Sequence, residues 1–144
     1  MSEFLLNLDI EPTNHCNLKC PFCYRIIAIH NNEKPFKEYG HMSLETFERI
    51  LQQICINGIS QVPAIKLTHR GEPLLNKNIG KMIKLAKSVG VVDVIMNTNG
   101  TVLTDDLAEE ILVAGIYKLL FSFDSPYPTK YKNIRIGASY VVLQ

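Results

Sequence analysis

Three cysteines fall within one short stretch, Cys16-Asn17-Leu18-Lys19-Cys20-Pro21-Phe22-Cys23. Thiolate sulfur is a soft ligand, and three thiolates in one loop can reach a single metal centre. A structural zinc site is closed by four protein ligands, usually as two separated pairs; here there is one triplet and no second pair. The open position suits an iron–sulfur cubane with one iron left for a small molecule, because a four-iron cluster ordinarily takes one thiolate per iron. A fourth ligand must then come from elsewhere. His15 has the right chemistry but adjoins Cys16 and is hard to wrap around the same metal. Cys55 is isolated in the sequence and reads as a small buried apolar residue in a helix.

Three more polar groups follow apolar runs in the same way: Gly71-Glu72-Pro73, Asn97-Thr98-Asn99-Gly100, and Ser122 with Asp124. The first has the composition of a surface turn and the second that of a strand-to-helix loop. Ser122 and Asp124 flank Phe123, so strand alternation places both side chains on one face. A polar pair in a strand otherwise made of Leu119, Leu120 and Phe121 is costly to bury without partners, which favours a ligand-contacting role.

The elements that must position these groups alternate. A strand from about Leu5 to Ile10 feeds the cysteine loop, and polar residues 31–40 form an exposed connection. Ser43 caps a helix carrying Phe47, Ile50, Leu51 and Ile54 at helical spacing, closed by Asn57-Gly58. Ala64 to Thr68 is a second strand, and a helix from about Lys77 to Ser88 ends at Gly90. Val91 to Met96 is a third strand; Thr104 caps a third helix, which Gly115 stops. Lys118 to Phe123 is a fourth strand. Strands alternating with helices predict an α/β fold with a parallel sheet built from right-handed crossovers. In such sheets and barrels the sites lie at the carboxyl ends of the strands, where all four polar groups fall.

The C-x-x-x-C-x-Φ-C spacing, with aromatic Phe22 before the last cysteine, resembles the motif of the radical S-adenosylmethionine (radical SAM) enzymes. The string Ile10-Glu11-Pro12-Thr13-Asn14-His15-Cys16 is similar to that of the subgroup that modifies peptides and proteins. The resemblance implies a [4Fe–4S] cluster on Cys16, Cys20 and Cys23, with S-adenosylmethionine binding the fourth iron through its amino and carboxylate groups. Reductive cleavage of the sulfonium would release a 5′-deoxyadenosyl radical for hydrogen abstraction from a substrate, a peptide or protein being favoured. It places Phe22 beside the adenine. Gly71-Glu72-Pro73 resembles the family's Gly-Gly-Glu motif, which binds the methionine amino group, although Arg70 replaces the first glycine and has the geometry to meet the ligand's carboxylate. Asn99 falls where the family keeps polar residues near the ligand, and Ser122 and Asp124 where it contacts the ribose or the methionine carboxylate. The segment Tyr131 to Gly137 is similar to that following the fourth strand, leading into a helix that Ser139 to Gln144 would begin. An external electron donor such as a flavodoxin or ferredoxin is also implied.

The family's core is a partial (β/α) TIM-like barrel of six strands. On that resemblance, residues 1–144 are an incomplete core domain, truncated after about four β/α units, and the chain alone is expected to be a poor catalyst with an open sheet edge. Composition agrees with one globular domain: 47% hydrophobic and 20% charged residues. A net charge of +1 gives no reason to propose nucleic acid or an anionic membrane as partner. No apolar run approaches the roughly 20 residues that span a bilayer. Clustered cysteines point to metal chemistry in a reducing compartment, the cytosol by default, and not to a disulfide framework. The alternatives are a non-catalytic iron–sulfur or zinc-binding module and an inactive fragment.

Overall fold

A computed structural model describes residues 6–139. In chain order the elements are β1 (Leu8–Ile10), α1 (Tyr24–His30), α2 (Leu44–Gln53), the short strands β2 (Cys55–Ile56) and β3 (Ile59–Ser60), β4 (Ala64–Leu67), a 3-10 turn (Pro73–Leu75), α3 (Ile79–Ser88), β5 (Asp93–Thr98), α4 (Asp105–Val113), β6 (Lys118–Phe121) and α5 (Pro128–Ile134). The main sheet has the order β1-β4-β5-β6, with every pairing parallel. Parallel neighbours need a crossover long enough to return the chain, and α2, α3 and α4 fill those three crossovers. This is the expected α/β architecture, four β/α units of an open TIM-like barrel.

One face of the sheet packs on the helices. Ile65 and Leu67 of β4 and Val94 and Met96 of β5 are fully buried against Phe47 and Leu51 of α2, Met82, Ile83 and Ala86 of α3 and Ile111 of α4. Each of these side chains except the smaller Ala86 contributes about 1.5–3 kcal/mol by leaving water. The alternate residues, Lys66 and Ile95, are only partly buried and Asn97 is exposed, so by strand alternation the other face is the open one. There Lys66 meets Asp9, its registered partner on β1, at 3.9 Å.

The expected caps form: Ser43 Oγ accepts from Thr46 N at 3.1 Å and Thr104 Oγ1 from Leu107 N at 3.3 Å. Several boundaries differ. Asn57-Gly58 does not close a helix; with φ of 52° and 79° the pair makes the type I′ turn that joins β2 to β3. Cys55 consequently lies in β2, half-buried, and not in the preceding helix. β5 runs two residues later than expected, because Asn97 and Thr98 still pair with Leu120 and Phe121 of β6. β6 stops at Phe121, since Phe123 N turns back to Phe121 O at 3.0 Å, an i→i−2 turn that ends the extended run. Of the first strand, Leu5 lies outside the described residues, as does all but the first residue of the helix expected from Ser139. Among the described residues no helix is long and apolar enough to cross a membrane.

Candidate metal and cofactor site

The carboxyl ends of β1, β4, β5 and β6 open on one cavity of about 220 Å³. Cys16, Cys20 and Cys23 line it from the loop after β1. Cys23 starts α1, where Ile26 N and Ile27 N donate to its carbonyl at 2.8 and 3.0 Å, and its own N–H closes a turn on Cys20 O at 3.0 Å. All four cysteines are free thiols. Among the described residues no three His, Cys, Asp or Glu side chains converge as ligands of one ion would. The three cysteines instead share the wall of one cavity.

The loop after β4 is pressed against the cysteine loop. A Cβ on Gly71 would collide with the Thr13 carbonyl oxygen, so only glycine fits, and Glu72 N donates to His15 O at 2.7 Å. The Glu72 side chain is 2% exposed. Its Oε1 accepts from Thr98 Oγ1 at 2.6 Å and Leu74 N at 3.1 Å, and its Oε2 from Asn99 N at 2.7 Å. Burial pushes its carboxyl above the usual range, against the opposing pull of the Asn99, Thr98 and Leu74 donors. Pro73 follows as the first residue of the 3-10 turn, buried and outside the cavity lining. Asn76 locks that turn by donating to Pro12 O at 2.8 Å and Met42 O at 3.0 Å.

Asn99 carries the link onward. Its Nδ2 donates to Asn17 Oδ1 at 3.0 Å and lies 3.9 Å from Cys16 Sγ, while Asn17 Nδ2 donates to Thr101 Oγ1 at 2.7 Å. The loops after β1, β4 and β5 are thus one hydrogen-bonded rim. Arg70 also lines the cavity, its guanidinium 5.4 Å from the Phe36 ring centroid and 5.8 Å from that of Tyr24, with Nε donating to His69 Nε2 at 3.2 Å.

Two arginines border the cysteines. Arg25 is 8% exposed and donates from Nη2 to Leu18 O at 2.6 Å and Cys16 O at 3.3 Å, while its buried Nε has no partner. Arg135 comes from the end of α5, where Lys19 N donates to Ile136 O at 2.9 Å. Its Nη1 donates to Cys20 Sγ at 3.7 Å, its Nε pairs with Asp124, and its guanidinium stacks 5.1 Å over the half-exposed Phe22 ring. Burial raises the Cys20 thiol pKa and Arg135 partly opposes it. Burial also acts to lower the pKa of Arg135, but the Asp124 carboxylate outweighs it and holds the guanidinium above its ordinary value. Three thiols, a buried cation with an unsatisfied N–H and a second cation on a sulfur form a donor set and counter-charge that fit an anionic metal–thiolate centre.

Of the residues singled out in the sequence, Cys16, Cys20, Cys23, Phe22, Arg70, Gly71, Glu72, Asn99 and Ser122 line this one cavity. Asp124 does not share a face with Ser122: the strand has ended before either, so alternation no longer applies, and its carboxylate turns to Arg135. The sequence does not single out Arg25 or Arg135, and it names Thr98 only as a member of a polar loop, not as a partner of Glu72. Arg25 sits two residues after the last cysteine, but nothing in the sequence marks it as buried.

The comparisons with known proteins agree with this geometry. The family model of the radical SAM superfamily matches residues 10–143. GTP 3′,8-cyclase of Syntrophomonas wolfei is 35% identical over 128 residues, covering 88% of this chain and 36% of the relative. A probable GTP 3′,8-cyclase of Methanocaldococcus jannaschii is 32% identical over 130 residues, covering 89% and 39%. The chain therefore spans well under half the length of these curated relatives. Among solved structures, Streptococcus suis SuiB bound to its precursor peptide SuiA superposes with a TM-score of 0.74 at 22% identity, over 97% of this chain and 29% of that one. BtrN in complex with AdoMet and 2-DOIA gives 0.70 at 22% identity, over 93% and 52%. The cysteine rim and its parallel strands are those of an enzyme family that uses a [4Fe–4S] cluster and S-adenosylmethionine: the chain belongs to the radical SAM superfamily.

Proposed function

We propose that this chain is the cluster- and S-adenosylmethionine-binding portion of a radical SAM enzyme, with Cys16, Cys20 and Cys23 as the cluster ligands. The observation that carries it is the convergence of the three cysteines, the Glu72 loop, the Asn99 loop and Ser122 on one cavity. Cys16, Cys20 and Cys23 would hold the cluster, which when bound would supply one-electron reduction of the S-adenosylmethionine sulfonium for radical chemistry on a substrate. The protein contributes binding, orientation and electrostatics.

Each residue's part follows from its surroundings. Glu72 Oε2 holds one internal bond, which leaves one acceptor position for the ligand's ammonium group. Arg135 presents a cation beside Cys20 that can meet the ligand's carboxylate, and the exposed Phe22 ring beneath it offers a face for the adenine. Asn99 and Ser122 supply further polar contacts to the same cavity. Pro73 fixes the turn behind Glu72, and Asp124 holds Arg135 in place. An external one-electron donor, a flavodoxin or ferredoxin in a reducing cytosol, completes the chemistry.

Two substrate classes have support. The motif around His15-Cys16, like that of the peptide-modifying subgroup, favours a peptide. The curated relatives, which act on GTP by name, favour a purine nucleotide.

Anaerobic reconstitution tests the ligand set. Cys20→Ala is expected to abolish iron binding and Cys55→Ala to leave it unchanged. Equal loss in both variants would remove Cys16, Cys20 and Cys23 as the ligands.

A further inference from the structure

Arg25 is a buried charged group of the cavity that the proposed function leaves without a task. It is the second residue of α1 and its side chain runs back under the cysteine loop, where Nη2 ties the carbonyls of Leu18 and Cys16 together. Only 8% of the residue is exposed, and Nε is buried without an acceptor. Among the described residues no carboxylate lies within ion-pair distance of it; Arg135, by contrast, is neutralised by Asp124. A guanidinium cannot lose its proton in a protein. A buried, permanent and unpaired cation is strongly disfavoured unless an anion completes the site, and Arg25 lines the same cavity as the three thiols.

We propose that Arg25 is the resident counter-charge of the cysteine loop, a positioning residue that holds the loop for its metal centre and eases that centre's one-electron reduction. This rests on the reading of Cys16, Cys20 and Cys23 as iron–sulfur ligands. Reduction adds one electron, delivered by the external donor, and makes the centre more negative by one unit. A fixed positive charge nearby stabilises the reduced form more than the oxidised one, and burial keeps the interaction from being screened by water or salt. Charge and hydrogen bonding around the cluster are among the main determinants of its potential. A residue that only stapled the loop would affect folding and leave the potential unmoved.

The test is a potentiometric titration with dithionite, followed by electron paramagnetic resonance, of the anaerobically reconstituted chain and its Arg25→Met and Arg25→Lys variants. At the potential that half-reduces the wild type, Arg25→Met is expected to show a reduced-to-oxidised ratio about tenfold lower, equivalent to about 59 mV for a one-electron couple. Arg25→Lys, which keeps the charge, is expected to stay within about threefold of the wild type. The difference should persist at high salt. If Arg25→Met fails to hold iron while Arg25→Lys holds it at the wild-type potential, the counter-charge is equally supported. A wild-type potential in Arg25→Met, an equal shift in both variants, or loss of iron from both would overturn the proposal. Failure of the wild type itself to bind a cluster would instead bring down the ligand assignment, and this proposal with it.

Discussion

Glu72→Gln is the change that most directly tests how the rim is built. Glutamine keeps the shape, but its amide nitrogen donates where the carboxylate accepts. If that nitrogen takes the place of Oε2, it meets the Asn99 N–H; if it takes the place of Oε1, it meets the Leu74 N–H, although the Thr98 hydroxyl can turn and accept. Either way one buried backbone N–H loses its partner, at a cost of about 1–3 kcal/mol. With a denaturant dependence of about 2 kcal/mol per molar, the urea midpoint should fall by about 0.5–1.5 M. The pH dependence has a definite sign. Burial raises the carboxyl above its ordinary 4.5, so the native state binds more protons than the unfolded chain between 4.5 and the folded value. Glu72's contribution to stability is therefore full below 4.5 and is lost as pH rises through the folded pKa. Glutamine has no such slope, so the gap between variant and wild type should be widest in acid and narrow as pH rises. Equal urea midpoints in the two proteins, or a gap that is constant across that window, would refute the three-donor arrangement.

Arg135→Met removes the group that opposes the effect of burial on Cys20, so the Cys20 thiol pKa should rise further. In the metal-free chain the pH profile of Cys20 alkylation, followed by mass spectrometry, should shift to higher pH; an unchanged profile would separate Arg135 from Cys20. Gly71→Ala drives a methyl group into the Thr13 carbonyl and is expected to cost about 1–3 kcal/mol as overpacking against backbone. It should lower both the urea midpoint and the iron retained on reconstitution, and a variant that kept both would show that the two loops are not in contact.

The sequence disclosed what is local. The cysteine spacing, the alternation of apolar runs with capped helices and the placement of polar clusters after strands are short-range patterns, and the cavity contains all the residues they nominate as ligand contacts except Pro73 and Asp124. What it concealed depends on where a strand stops or which distant segment returns. Asp124 was misplaced because a period-two pattern does not announce the turn at Phe123. The helix α5 went unread, although Pro128 occupies its first turn, where a missing N–H costs nothing. Asn57-Gly58 carries the same chemistry for a hairpin as for a helix stop, and only the pairing of β2 with β3 decides between them. Arg135 acts on a cysteine 115 residues earlier, a separation over which no periodicity reports.

That separation has a consequence for how the protein is made. The segment that covers the cysteine loop, with Ile136 on Lys19 and Gly137 against Leu18, is synthesised long after the cysteines themselves. At roughly 5–20 residues per second the interval between Cys20 and Arg135 is about 6–23 s. During it the three thiols leave the ribosome without their lid, open to metal donors and to oxidants alike. Docking of the tail then buries Cys20 while Cys16 and Cys23 stay partly exposed, so the order of translation gives Cys20 a period of open access that narrows in the finished protein.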